Sequence, residues 1–202
     1  MLIAGLTGSI AMGKSTAAAM LRRMGVPVHD ADEVVHDLTR PKGKALPAIK
    51  AAFPDLVTEA GLDRPELSRR AFKDPAVLQT LECILHPLVC AEEQRFLARE
   101  RAKGSGLVVL DIPLLFETGG ESRCDAVLVV SAPRAIQLSR ALSRPGMTLA
   151  KLQGIELRQM PDAEKRKRAD IVIPTGRGRR ATWATLRRAI RKLRWPQDLD
   201  GQ

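Results

Sequence analysis

Short apolar runs recur along the chain, and each is followed by a glycine, a proline or a polar residue. This pattern is typical of strands that are buried on both faces of a parallel sheet. We expect five such strands, at Leu2–Leu6, Val26–His29, Leu107–Asp111, Ala126–Val130 and Ile171–Ile173.

The segments between these runs place apolar residues about one helical turn apart, which predicts helices. They are expected at Ser15–Met24, Ala31–Leu38, Pro65–Phe72, Pro75–Leu85, Leu88–Lys103, Pro133–Ser143, Leu149–Gln159 and Ala181–Arg194. His86-Pro87 should separate two of these helices, and Arg40–Gly61 should hold only short helices and turns. Because strands alternate with helices, the sequence predicts an α/β fold in which a five-stranded parallel sheet is flanked by helices.

Two long segments interrupt this alternation. Residues 31–103 are largely helical, and residues 144–169 are polar and basic. We interpret residues 1–202 as a single domain with a helical insertion at about 31–103 and a lid at about 144–169. Trp183 and Trp195 are expected to anchor the last helix by packing.

Positive charge is concentrated in the last third of the chain. The formal net charge is +10, and the part from Ser131 onward holds 17 Lys and Arg against 6 Asp and Glu. Such a region is compatible with a nucleic acid, with a polyphosphate ligand or with a solvated helix face.

The cysteines and the first residues help to predict the cellular compartment of the protein. Cys83, Cys90 and Cys124 are an odd number without paired spacing, which favours a reducing environment. The first residues form a strand-like run without a charged leader or a cleavage site. No apolar stretch reaches the roughly 18 residues that a membrane span needs. We therefore expect a cytoplasmic protein without a membrane partner.

The strongest motif runs from Gly8 to Ser15 and matches G-x-x-x-x-G-K-[ST] at every fixed position. The two glycines allow a loop whose N–H groups point inward and bind phosphate oxygens, and the following helix adds its positive dipole end. Lys14 would contact the β- and γ-phosphates, and Ser15 would offer its hydroxyl to Mg²⁺. The alternative, an ordinary glycine-rich turn, does not explain why a strand precedes the motif and a helix follows it.

Carboxylates follow two of the predicted strands. Asp111 ends one strand, where a carboxylate could bind Mg²⁺ through water, although a turn or a helix cap would also suit an aspartate. Asp30 and Asp32 end another strand. One carboxylate there could orient an acceptor hydroxyl and take its proton. We favour Asp32 for this role, since Asp30 could equally cap the next helix.

The chain contains no asparagine, so the N-K-x-D guanine-binding motif of GTPases is excluded. Motor and transporter ATPases are normally larger. A chain of this length with a helical insertion and a basic insertion favours a P-loop kinase for a small molecule. Such an enzyme needs an acceptor site, which we assign to the helical insertion, and a cationic lid that excludes water.

Several motifs, in order, resemble those of the dephospho-CoA kinase family. They span Leu2 to about Gly176 and comprise Asp30-Ala31-Asp32, His86-Pro87, Asp111–Glu117 (DIPLLFE), Gln159-Met160-Pro161 followed by Lys165, and Ala169-Asp170 leading into Val172-Ile173. This resemblance implies a P-loop kinase fold and phosphorylation of the ribose 3′-hydroxyl of dephospho-CoA by ATP, giving CoA and ADP. It also implies Mg²⁺ and the last step of CoA biosynthesis.

The phosphate loop and the resemblance together imply a set of site residues. Asp32, Lys14 and Arg140 are the expected catalytic residues. ATP binding is assigned to Gly8, Ala11, Met12, Gly13, Lys14, Ser15, Thr16, Thr175 and Gly176. Acceptor binding is assigned to Asp32, His86, Glu117 and Arg144, the last being expected one turn after Arg140 on the same helix face. Mg²⁺ is assigned to Ser15 and Asp111, where a water molecule could bridge the carboxylate and the ion.

The sequence departs from the family in one place. Many members carry an Asn-x-Gly-like element after the fifth strand, where this chain has Pro174-Thr175-Gly176, so adenine recognition is expected to rest on backbone groups. The segment Arg177–Arg194 is unusually basic and has no expected catalytic role.

Two alternatives remain at the level of sequence. One is a P-loop kinase for another hydroxyl or nucleotide acceptor. The other is a nucleic-acid-associated P-loop binding protein, for which Lys165–Arg168 would provide electrostatic contacts. The chain lacks a recognisable nucleic-acid-binding motif, and its 3% aromatic content gives no stacking surface, so a nucleic-acid partner is not expected.

Overall fold

The computed structural model describes residues 1–58 and 61–194. The chain divides into two compact units, one of Met1–His29 with the chain from Glu100 onward, the other of Asp30–Arg99. The roles assigned to residues 31–103 and 144–169 stay predictions. The expected packing of Trp195 lies outside the described residues.

The first unit is built on a parallel sheet. In chain order, the described strands of both units are β1 (Leu2–Thr7), β2 (Val28–Asp30), β3 (Val57–Thr58), β4 (Gly61–Leu62), β5 (Leu107–Asp111), β6 (Ala126–Ser131) and β7 (Ile171–Pro174). The sheet has the order β2-β5-β1-β6-β7, and β1 pairs in parallel with both β5 and β6. The predicted five-stranded parallel sheet is confirmed, with strand ends shifted by no more than two residues.

Apolar residues cover both faces of this sheet because neighbouring residues of a strand point to opposite sides. Along β6, Leu128 and Val130 belong to one buried cluster, whereas Val127 and Val129 belong to another. A strand buried on both faces needs an unbroken apolar run, which explains why the strands could be recognised from the sequence.

The helices are α1 (Lys14–Arg23), α2 (Ala31–Leu38), α3 (Leu46–Ala52), α4 (Arg64–Lys73), α5 (Pro75–Ala102), α6 (Arg134–Leu142), α7 (Leu149–Glu156), α8 (Asp162–Arg168) and α9 (Arg179–Arg194), with short 3₁₀ helices at Pro54–Leu56 and Gly120–Arg123. In the first unit, α9 packs against α1 and β7. The buried face of α9 consists of Thr182, Leu186, Ala189 and Ile190. Among the described helices, none has both the length and the apolar character that crossing a membrane requires.

The second unit has its own core. Its buried apolar residues come from the short helices, the residue before α3, the 3₁₀ turn and α5, and are Leu38, Ala45, Ile49, Leu56, Leu67 and Leu81. Strands β3 and β4 form an antiparallel hairpin in which Val57 lies opposite Leu62.

Two predictions about these elements were wrong, and one helix was not predicted. The two helices expected on either side of His86-Pro87 are one helix, since a proline removes a single N–H donor and does not have to end a long helix. The stretch 40–61 contains strands of the hairpin as well as helices and turns. The basic run ending at Arg168 forms α8, which the sequence did not predict.

Candidate active site

The phosphate loop lies between β1 and α1 and is held close to β6. A Cβ atom on Gly8 would stand 2.7 Å from the carbonyl oxygen of Val130, so only glycine fits this approach. Gly13 has a φ of 93° and Ala11 a φ of 62°, both in the left-handed region. Helix α1 begins at Lys14 without a side-chain cap. Its first N–H groups are therefore available to an anion.

Lys14 contacts the carboxylate that ends β5. Its Nζ lies 2.6 Å from Oδ1 of Asp111, and Asp111 is only 1% exposed. The sheet register explains this proximity, because Asp111 pairs with Leu6 just before the loop. Asp111 therefore lies beside the phosphate loop, and its role towards Mg²⁺ stays a prediction. Ser15 and Thr16 are exposed in the first turn of α1.

Both backbone polar groups of Ile10 are fixed by glutamine side chains. The N–H of Ile10 donates to Oε1 of Gln159 at 2.9 Å, and Nε2 of Gln137 donates to the carbonyl oxygen of Ile10 at 3.0 Å. Gln137 is 3% exposed, and its own Oε1 accepts a hydrogen bond from Arg134. These contacts hold the middle of the loop in place from α6 and from the turn after α7.

Arg140 is tied to the loop through Thr175. Its guanidinium donates to Oγ1 of Thr175 at 3.1 Å and to the carbonyl oxygen of Thr175 at 2.8 Å. The Thr175 hydroxyl donates in turn to the carbonyl oxygen of Met12 at 2.6 Å. Gly176 comes close to α6, since a Cβ atom there would lie 2.6 Å from Cδ of Pro133. The structure therefore brings Arg140, Thr175 and Gly176 together beside the loop.

The sequence predicted that Arg144 lies on the same helix face as Arg140, and this prediction was wrong. Helix α6 ends at Leu142, and the N–H of Arg144 donates to the carbonyl oxygen of Ala141 within a turn. The next residue is Pro145, and a residue that precedes proline is disfavoured in a helix.

Glu117 pairs with a lysine that has no exposed surface. Nζ of Lys165 lies 2.8 Å from Oε1 of Glu117, with the two side chains 0% and 16% exposed. The same oxygen accepts a hydrogen bond from the N–H of Met160 at 2.8 Å. This arrangement ties the segment after β5 to the turn that carries Gln159. The other carboxylate oxygen of Glu117 is buried without a hydrogen-bond partner among the described residues.

Asp32 and His86 belong to the second unit. Asp30 caps α2, since its Oδ1 accepts from the N–H groups of Asp32 and Glu33 at 3.1 and 3.2 Å. Asp32 lies in the first turn of this helix. His86 lies on α5, with Sγ of Cys90 3.8 Å from its Nε2. The predicted roles of Asp32 and His86 stay predictions.

Sequence reasoning assigned no role to Gln137, Gln159 or Lys165. Gln159 and Lys165 were quoted as family motifs, so a signal existed, but their partners are more than 40 positions away in the chain. Gln137 stands in an unremarkable helix and gave no signal. In the part of the chain that is described, no group of three or more His, Cys, Asp and Glu residues could hold a metal ion by itself.

Comparison with known proteins gives consistent matches. Residues 2–178 match the family model for dephospho-CoA kinase. A dephospho-CoA kinase of Paramagnetospirillum magneticum is 60% identical over 166 residues, which cover 82% of this chain and 78% of the relative. The dephospho-CoA kinase of Mesorhizobium japonicum is 52% identical over 194 residues, which cover 96% of this chain and 98% of the relative. The crystal structure of TT1252 from Thermus thermophilus superposes with a TM-score of 0.80 at 38% identity, covering 94% of this chain and 95% of that one.

Proposed function

Because the chain belongs to the dephospho-CoA kinase family, we infer that it transfers the γ-phosphate of ATP to the ribose 3′-hydroxyl of dephospho-CoA. The products are CoA and ADP, and the reaction is the last step of CoA biosynthesis. The observation that carries this inference is the family match over residues 2–178, which contain the phosphate loop and its contacts with Asp111 and Thr175.

The phosphate loop and α1 bind the triphosphate. Loop N–H groups and the uncapped start of α1 present donors and a positive dipole end to phosphate oxygens. Lys14 adds a compact positive charge, and it exchanges its contact with Asp111 for the β- and γ-phosphates when ATP binds. Because two glutamines hold Ile10, the loop is already ordered before ATP binds, and binding loses little free energy to ordering it.

Ser15 and Asp111 are the residues that would hold Mg²⁺. A serine hydroxyl and a carboxylate supply the hard oxygen ligands that this ion prefers, and both stand next to Lys14 at the end of the loop. When bound, the ion neutralises charge on the phosphates. The protein contributes the fixed position of Asp111, which β5 and its register with β1 determine.

Arg140 is placed to stabilise the charge that develops on the transferring phosphoryl group. Two of its N–H donors bind Thr175, so the guanidinium is oriented before the substrates arrive. An arginine has five N–H donors, and the others remain for phosphate oxygens. Thr175 and Gly176 follow β7, where the adenine would contact backbone groups. Arg144, in the turn after α6, is exposed and would bind the acceptor or share the contact of Arg140 with the phosphates.

Asp32, His86 and Glu117 are the acceptor-side residues. Asp32 would accept the proton of the 3′-hydroxyl as the oxygen attacks the γ-phosphorus. The capping role of Asp30 supports this assignment. Its carboxylate is used by the N–H groups of α2, whereas Asp32 is the carboxylate proposed to accept the proton. His86 would contact dephospho-CoA without taking part in a chemical step. Glu117 has one carboxylate oxygen committed to Lys165 and Met160, and only the other is left for the acceptor.

The reaction needs no membrane, and we place it in the cytoplasm, where ATP and reduced thiols are abundant. The three cysteines are free, as expected for a reducing compartment.

ADP release measured with Mg-ATP, with and without dephospho-CoA, tests the proposal, together with the mass of the product. We expect ADP release that depends on dephospho-CoA and a product heavier by one phosphate. CoA itself is the matched control, since its 3′-hydroxyl is already phosphorylated and it should not support turnover. The assigned acceptor would be refuted if ADP release with dephospho-CoA were no faster than with CoA or without any acceptor.

A further inference from the structure

Two adjoining cavities lie at the carboxyl ends of β6 and β7, beside the phosphate loop, and they share Met12 and Gly176 with the ATP-binding residues named above. One has a volume of about 330 Å³, the other about 560 Å³, and both are lined by Ala132, Arg134 and Asp162. Lys14, Asp111 and Arg140 line neither cavity. The volume of the larger one is in the range of pockets that bind small metabolites.

Two exposed arginines of the larger cavity form no ion pair within the described part of the chain, although the carboxylate of Asp162 lines the same cavity. Arg166 comes from α8 and Arg177 from the loop before α9, and both line this cavity. Among the described residues, no carboxylate pairs with either guanidinium. Arg134 differs, since it forms an ion pair with Glu156. Two uncommitted guanidinium groups from different elements make a site that favours a phosphate group.

Asp162 adds an acceptor of a different kind. Its Oδ2 accepts a hydrogen bond from Oγ of Ser131 at 2.8 Å, whereas its Oδ1 is buried without a partner among the described residues. Ser9, which is 7% exposed and lines the smaller cavity, also has a buried hydroxyl without such a partner. A buried polar atom without a hydrogen bond is unfavourable, because it has lost its contacts with water and gained none in the protein. A ligand that brings a donor to Asp162 removes part of this cost.

We propose that these cavities are a second ligand site, which binds a phosphate monoester that also carries an N–H or O–H donor. The phosphate binds Arg166 and Arg177, and the donor binds Oδ1 of Asp162. The smaller cavity extends this site to Ser9 and Met12 of the phosphate loop, with Pro161 as an apolar wall.

Calorimetric titration with O-phosphoethanolamine tests the site, using protein saturated with Mg-ADP so that the phosphate loop is occupied. Phosphocholine is the matched control probe, because it keeps the phosphate and the positive charge but has no N–H donor. We expect saturable binding of O-phosphoethanolamine that is about tenfold tighter than that of phosphocholine, as one charge-assisted hydrogen bond would give.

Variants identify the residues. Arg166→Gln and Arg177→Gln should each weaken binding of O-phosphoethanolamine about tenfold. Asp162→Asn should abolish the preference for O-phosphoethanolamine over phosphocholine. Lys167→Gln is the matched control on α8, because Lys167 is exposed, pairs with Glu164 and lines neither cavity. Circular dichroism and thermal unfolding establish that each variant is folded.

Three results would overturn the proposal. The first is no saturable binding to the wild-type protein in the presence of Mg-ADP. The second is equal affinity for both probes, which would remove Asp162 from the site. The third is an equal loss of affinity for O-phosphoethanolamine in Lys167→Gln and Arg166→Gln, which would show that binding depends only on general surface charge. None of these results bears on the acceptor of the kinase reaction, which the ADP-release assay tests separately.

Discussion

Replacing Lys165 with methionine should destabilise the protein strongly, although the residue lies in a basic run that looks like a solvated surface. Lys165 has no exposed surface, and its ammonium lies 2.8 Å from Glu117. The substitution leaves a largely buried carboxylate without its cation. Breaking a buried ion pair in this way costs about 3–5 kcal/mol.

The expected loss of unfolding free energy can be measured as a fall in melting temperature. For a chain of this size, 1 kcal/mol corresponds to roughly 2–4 °C, so Lys165→Met should lower the midpoint by roughly 6–20 °C. The KM for ATP should also rise. Glu117 holds the N–H of Met160, and the adjacent Gln159 holds Ile10 in the phosphate loop.

Two further variants make this prediction specific. Lys167→Met is the control, since its ion pair with Glu164 is exposed and worth about 0–1 kcal/mol. The double variant Lys165→Met/Glu117→Gln should recover stability relative to Lys165→Met, because it leaves no unpaired buried charge and the amide can still accept from Met160. Urea unfolding of the four proteins, including the wild type, measures the free energy lost in each single variant and the part recovered in the double variant. A loss below about 1 kcal/mol in Lys165→Met, with no recovery in the double variant, would refute the reasoning.

Three other predictions concern catalysis and pH. Lys14→Ala should lower kcat by at least about a hundredfold with an unchanged circular dichroism spectrum, and normal turnover would remove Lys14 from the site. Asp32→Asn should bind ATP with wild-type affinity in a titration yet fail to form CoA, and a loss of ATP binding would instead place Asp32 with the metal. The pKa of Glu66 is lowered to about 2 by hydrogen bonds from Arg69 and Arg70. The contribution of these ion pairs to stability should therefore be complete above pH 4.5 and vanish as the pH falls through 2, and acid titration of Glu66→Gln should lack that component.

Local signals in the sequence were sufficient to predict the sheet and the phosphate loop. A strand buried on both faces must be apolar throughout, and the loop requires glycine where its backbone approaches Val130. Both requirements appear directly in the sequence. The contact of Asp111 with Lys14 was not predicted, but it has a simple cause, because parallel strands bring their carboxyl ends to one edge of the sheet.

Contacts between distant segments were not predicted from the sequence. The pairing of Lys165 with Glu117 depends on how α8 packs, and a run of four basic residues gives no sign that one of them is buried. The uninterrupted α5 was missed for a different reason. Pro87 is a local stop signal, but a long helix that packs along a core can tolerate one missing hydrogen bond.

The strained backbone of the phosphate loop limits how far this motif can be transplanted. Ala11 holds a left-handed conformation that costs a residue other than glycine roughly 1–2 kcal/mol. The residue before it is held by Gln137 and Gln159, which stand more than a hundred positions away. An eight-residue graft into another strand–helix junction would carry the glycines and the lysine but not these glutamines, and should relax away from its nucleotide-binding shape. Designers who borrow the loop would need to bring its two glutamine supports, or to replace Ala11 with glycine.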